Sequence, residues 1–283
     1  MTLEKWLIHP GETRGIDIET VRSLKVSMLG GQIDVIAHDE PGARIEIHSV
    51  TSKDLRIEVT GDALEIDHPQ LRWDNFLTAF RGLGSSGAKA DISLVVPRNI
   101  AITLGVVSAS ALIAGFTTDA KLNTVSGDIL VDGLTGDLDV NSVNGDVQVR
   151  GLHGAFNANS VSGDIAATGT LRRADADTVS GNVLFDSDGP ISQVNINTVN
   201  GNATLRLPQG DPPNSVERSA SGQIVRDGVV HSGSGTTSYT GSSGELSGQF
   251  VDVRVNTVSG DLTVLRRPTE HTGSPATDGE MQS

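Results

Sequence analysis

The sequence predicts an all-β chain wound into a flattened parallel β-solenoid, with about 18 residues per coil in its regular part. Three observations predict it. A nine-residue apolar register runs without a gap from Ala101 to Pro190. A polar, glycine-centred phrase recurs as NTVSGD at Asn123, NSVNGD at Asn141, NSVSGD at Asn159, DTVSGN at Asp177, NTVNGN at Asn197 and NTVSGD at Asn256. Only 3% of residues are aromatic while 33 are glycine, so the core must be aliphatic and the chain must turn often.

Cut into nines from Ala101, the block holds ten units. The second positions run from Ile102 to Val183 and the fourth from Leu104 to Phe185, and all twenty are apolar. Apolar residues two apart mean a strand with one buried face. The seventh position is apolar in eight of ten units, failing at Thr170 and Asp188, and is expected to point inward as well. The ninth is glycine in six, which supplies a turn at the unit boundary. At the sixth, Gly115, Gly133, Gly151 and Gly169 alternate with Thr124, Ser142, Ser160 and Thr178. The units are therefore of two kinds, and the true repeat is eighteen residues. Coils of that length stack about 4.8 Å apart, like above like.

From the amino terminus, residues 1–22 show no clear alternation but carry Trp6, Leu7 and Ile8, and are expected to cap the first coil or dock on a partner. The solenoid is expected over 23–265. Ser23–Gly31, SLKVSMLGG, already has the register, and 41–100 is strand-rich but irregular. Within it, LRWDNFLTAFRGLGSSG at 71–87 groups Trp73, Phe76, Leu77 and Phe80 at helical spacing, as a short amphipathic turn or loop would. The regular repeats occupy 101–207, followed by a Gly/Ser/Pro-rich loop excursion over 208–250. A last coil at 252–265 restores the register, and 266–283 reads as a disordered tail. The excursion and last coil are expected to cap the carboxyl end, giving a monomer or an end-to-end dimer.

A net charge of −14 argues against nucleic-acid and anionic membrane partners. The absence of cysteine excludes disulfides and thiol chemistry. MTLEKWLIHPGETRG lacks the apolar core of a secretory signal, and no run of about 18 apolar residues exists, so a cytoplasmic protein is expected.

Asp128, Asp146 and Asp164, followed by Asn182 and Asn202, should form one column, and Asn123, Asn141, Asn159 and Asp177 another. The first invites a calcium ladder. The GGxGxDxUx pattern of calcium-binding β-rolls is missing, which favours Asp and Asn as caps of backbone N–H groups. The second suits a stacked amide ladder. His9, His38, His48, His68, His153, His231 and His271 show no metal-ligand spacing and read as surface residues. SGD is no GxSxG elbow, and GLGSSG at 82–87 lacks the lysine of a phosphate loop. No catalytic, cofactor or metal site is predicted, and the chain does not read as an enzyme.

The [ND]-[TS]-V-[SN]-G-[DN] phrase followed by an alternating strand resembles a bacterial β-strand-repeat family known as "putative adhesin" or the toastrack-type domain of unknown function. The resemblance covers roughly residues 20–265. It implies a right-handed, single-chain solenoid and brings no catalytic residues. It also implies a membrane stress-response protein as a conceivable partner. The expected function is a non-catalytic scaffold or protein-interaction module, serving envelope-stress signalling or self-assembly. The alternative is a carbohydrate-binding or carbohydrate-active protein, or a surface adhesin, on the same fold. Sugar platforms are usually aromatic, and beyond Trp6, Trp73, Tyr239 and six Phe the chain has none, which favours the scaffold.

Overall fold

The computed structural model describes residues 3–69, 87–209, 213–233, 235–242 and 251–267. Among them there is no helix, and so none long and apolar enough to cross a membrane. Amphipathic spacing at 71–86 and the tail after residue 267 lie outside the described residues.

The strands, numbered along the chain, begin with β1 (Leu3–Ile8), β2 (Arg14–Ile18), β3 (Ser23–His38), β4 (Ala43–Thr51), β5 (Leu55–Thr60), β6 (Ala63–Asp67) and β7 (Lys89–Pro97). The regular part holds β8 (Ala101–Ala114), β9 (Ala120–Thr124), β10 (Ile129–Asp132), β11 (Leu138–Asn144), β12 (Val147–Ser162), β13 (Ile165–Ser180), β14 (Val183–Ser187), β15 (Gln193–Asn200) and β16 (Ala203–Leu207). The chain visits two parallel ladders in turn. Leu138 pairs with Ala120 on one side and Phe156 on the other in the first ladder. Ile129 pairs with Ala111 and Val147 in the second. Both offsets are eighteen residues, so like positions lie over like. The turn after β14 is two residues longer, and there Arg173 pairs with Gln193 and Val183 with Ala203.

The core lies between the ladders. All twenty second and fourth positions of the ten units are buried, at no more than 4% exposure. Phe156 and Phe185 meet edge to face at 5.8 Å in the middle of it.

The seventh position does not behave as one inward column. Phe116, Leu134 and Leu152 are buried, whereas Val143, Val161 and Val179 are exposed. The sixth residue decides which way the seventh side chain turns. In units with Thr or Ser there, the strand runs straight on, the hydroxyl points in and the following valine points out. In the other units Gly115, Gly133 and Gly151 have φ of +81°, +67° and +61°, and this left-handed residue turns the chain and brings the next side chain inward. The two polar exceptions satisfy each other, since Thr170 Oγ1 donates to Asp188 Oδ1 at 2.8 Å, and Leu171 fills the core instead.

At both ends parallel stacking gives way to antiparallel strands. Over β3 lie β6, β5 and β1 in the first ladder and β7, β4 and β2 in the second. Residues 1–22 thus contribute two sheet strands, although their sequence shows no alternation. The reason is that β1 is short, with only Trp6 and Ile8 turned to the core, while Leu3 and Leu7 face solvent.

The described part of the excursion is also strand, not loop: β17 (Pro213–Ser221), β18 (Ile224–Arg226), β19 (Val229–His231) and β20 (Thr237–Ser242). After it come β21 (Val251–Ser259) and β22 (Leu262–Arg266). β21 pairs in parallel with both β15 and β17, and β22 with both β16 and β18. The coil expected at the end of the stack therefore sits one layer in. β17 and β18 lie outside it because SASGQI at 219–224 is a degraded copy of the phrase, and it stacks on Thr257–Leu262. β20 and β19 close the end as antiparallel edges.

Candidate interaction surface

The repeated phrase builds one corner of the stack, and each residue has a distinct task. The second residue is a buried hydroxyl, and in the first two copies it closes the corner locally, whereas Ser160, Thr178 and Thr198 make no such bond and Thr257 donates to the Gly201 carbonyl of the neighbouring row. Thr124 Oγ1 accepts from the Gly127 N–H at 2.9 Å and donates to its carbonyl at 2.8 Å; Ser142 Oγ donates to the Gly145 carbonyl at 3.0 Å. The glycine is fixed by proximity. A Cβ on Gly145 would lie 2.4 Å from the Gly127 carbonyl oxygen in the neighbouring coil, where no side chain fits.

The last residue ties coil to coil. Asp146 N–H donates to Asp128 Oδ1 at 3.0 Å, Asp164 N–H to Asp146 Oδ1 at 2.9 Å and Asn182 N–H to Asp164 Oδ1 at 2.8 Å. The series continues through Asn202 and Asp261 to the Gln223 N–H. Asp and Asn exchange freely along it, so the role is that of an acceptor and not of a charge. Among the described residues no group of three or more His, Asp or Glu is placed to hold a metal ion.

The first residue forms an amide ladder on the outer face. Asn141 Nδ2 donates to Asn123 Oδ1 at 3.0 Å, Asn159 Nδ2 to Asn141 Oδ1 at 3.2 Å, Asn197 Nδ2 to Asp177 Oδ1 at 2.8 Å and Asn256 Nδ2 to Asn197 Oδ1 at 2.9 Å. Beside it stands the third residue, valine. Val143, Val161, Val179, Val199 and Val258 are 36%, 50%, 51%, 48% and 54% exposed and follow one another up adjacent rows. The same column begins buried at the amino end, where Leu29 and Val125 are covered and Leu29 packs with Ala88 and Val107.

Further along the first ladder's outer face is a groove of about 540 Å³ lined by Asp137, Asp139, Asn157, Arg173, Asp175 and Asn195. It opens where the small Ala155 lies between the longer side chains of Asp137 and Arg173. Its polar groups are largely committed to each other: Asn157 Nδ2 donates to Asp139 at 3.0 Å and Asn195 Nδ2 to Asp175 at 2.6 Å.

The histidines do not converge. His9 lies beside Asp54 at 2.9 Å, which raises its pKa; His38 and His48 have single partners; His231 packs on Tyr239; His271 is outside the described residues. His68 is the departure from a surface placement. It is fully buried, its backbone N–H donates to the Ser27 carbonyl at 3.2 Å, and burial lowers its pKa to about 4. The sequence reading also missed a buried charge pair in the end coil. Arg226 Nη1 donates to Glu217 Oε1 at 2.6 Å and to Ser215, with the Tyr239 ring 4.7 Å from its guanidinium carbon. Burial raises the Glu217 pKa against the pull of Arg226. SVERSAS alternates like any strand, but with polar residues turned inward, so its pattern reads inside out.

Solved structures with a similar chain path include a "putative adhesin" from Parabacteroides distasonis, at 14% identity over 91% of this chain and 98% of that one, TM-score 0.49. Another is a "putative adhesin" from Bacteroides fragilis, at 13% identity over 91% and 98%, TM-score 0.45. A third, titled a "putative lipid binding protein" and also from P. distasonis, has 12% identity over 89% and 97%, TM-score 0.39. No curated protein matches the chain. A family model does, over residues 21–265, and it takes in the whole corner of stacked phrases: the chain belongs to the Toastrack DUF4097 family.

Proposed function

We propose that this protein is a non-catalytic scaffold, a right-handed β-solenoid of about 18 residues per coil whose lateral face serves as a protein-interaction module. The observation that carries the reading is the row of exposed valines. Soluble proteins bury aliphatic side chains when they can, and a contiguous exposed row marks a contact surface. Here the repeat sets a valine out on five successive rows, from Val143 to Val258. The neighbouring Asn ladder is held rigid by its own hydrogen bonds, which lowers the entropy cost of docking on it.

Capture from the native host tests this, with the wild-type chain and a Val161→Asp/Val199→Asp variant as baits. The expected result is a set of proteins, identified by mass spectrometry, that the wild type retains and the variant loses. A membrane stress-response protein is the partner class suggested by the sequence resemblance, and the experiment reads it directly. An identical set from both baits would move the interaction surface off this corner.

A second reading, carbohydrate binding, is favoured by the polar groove beside Ala155. Paired carboxylate and amide groups can hydrogen-bond sugar hydroxyls. Binding to a glycan array that is lost on Asp139→Ala/Asp175→Ala would support it over the first.

A further inference from the structure

We infer that the valine stripe is a homotypic surface, on which a second copy of this chain docks its own stripe. This rests on the interaction-module reading and names the partner. Two features of the stripe argue for a second copy over an unrelated protein, and a third sets the strength of the contact. The first is period. Val143, Val161, Val179, Val199 and Val258 stand on consecutive rows about 4.8 Å apart, roughly 19 Å in all. A surface that matches this spacing row for row is another stack of the same coils.

The second is charge. The chain carries −14 overall, so most of its surface repels a copy of itself. The stripe is an exception. On one side it is flanked by the amide ladder, and on the other by Asn144, Ser162, Ser180, Asn200 and Ser259. Asp177 is the one charge in those flanks, and it accepts from Asn197. Its position selects the symmetry. A twofold axis across the stripe would oppose Asp177 to its own mate. An axis along the stripe sets Asp177 against the serine side of the partner and each valine against its own mate. The second arrangement is the one inferred.

The third is size. Five half-exposed valines offer on the order of 300–400 Å² of apolar surface, and a stable interface needs about 800 Å² per partner. The polar flanks must supply the rest. The dimer is accordingly weak, with Kd on the order of 100 μM.

Val179 faces its own mate across the axis, and this gives a test by charge exchange. Sedimentation velocity of the purified full chain, up to about 1 mM, should show concentration-dependent dimers. Val179→Asp alone, or Val179→Lys alone, should weaken the dimer at least tenfold, because like charges meet. An equimolar mixture of the two variants should recover it. Val179 is half exposed, so both variants should keep the wild-type circular dichroism. If either folds poorly, the same pair at Val161 makes the same test. A wild type that stays monomeric to about 1 mM overturns the inference. So does a dimer that persists unchanged in the aspartate variant, or a mixture that recovers nothing. None of these results depends on capture from the host, so the two ideas can fail separately.

Discussion

Whether a valine is core or surface follows from its place in the unit, and the difference is measurable. Val140, at a fourth position, is 1% exposed and packed between coils, whereas Val161 is half exposed at the corner. Val140→Ala should lower stability by roughly 1–3 kcal/mol through lost transfer energy and a residual cavity. Val161→Ala should cost less than about 0.5 kcal/mol. Denaturant midpoints of the two variants decide between a buried and an exposed corner. His68 supplies a second residue-scale expectation. Its pKa lies near 4 in the fold and near 6.5 when unfolded, so the unfolded chain takes up a proton first as pH falls. Stability from this group is complete above pH 6.5 and is lost progressively down to about pH 4, by an amount on the order of 3 kcal/mol. His68→Gln should flatten the fall in melting temperature over that window relative to wild type. An unchanged slope would mean that the imidazole is solvated in the fold.

At the scale of the strand, the ends are where the architecture changes. Each ladder would otherwise stop on a row of free N–H and C=O groups, a template for aggregation. The chain answers with antiparallel strands, β1 and β2 at one end and β20 and β19 at the other. β1 also carries Lys5 in mid-strand, near Glu58, and a charge on an edge discourages further pairing. Deleting residues 2–19 strips both amino-end strands and bares the edges of β5 and β4. Light scattering should then show self-association at concentrations where the full chain is monodisperse. A truncated chain as monodisperse and as stable as the full one would mean that β1 and β2 contribute nothing as a cap. A cap was expected of residues 1–22, but its two strands were not readable there. β1 finds its partner about fifty residues away, with Leu3 opposite Thr60 and Ile8 opposite Leu55, and a strand with two inward residues is too short to display a period.

Across the whole molecule, what could be read was what the chain repeats. Twenty apolar positions, the two kinds of unit and the Asn and Asp columns all follow from a local pattern, because stacking in register turns sequence period directly into spatial order. What could not be read was what breaks the period. The inward Glu217 and Arg226 reverse the usual sense of a strand, and the burial of His68 depends on its place at the end of β6. The order of the layers was hidden for a different reason. NTVSGD at Asn256 is the same phrase as at Asn123, and a phrase that fits every row does not reveal which row it will occupy.

That ambiguity has a consequence in time. A ribosome delivers β17 and β18 before β21 and β22, yet the later pair lies beneath the earlier one. A growing chain can lay down its rows one upon another as far as β16 and then has to wait. Until residues 251–266 emerge, β17 and β18 can pair only with β20 and β19, and β15 and β16 present a vacant berth. Emergence of residues 251–266 is thus the step that joins the four end strands to the rest of the stack.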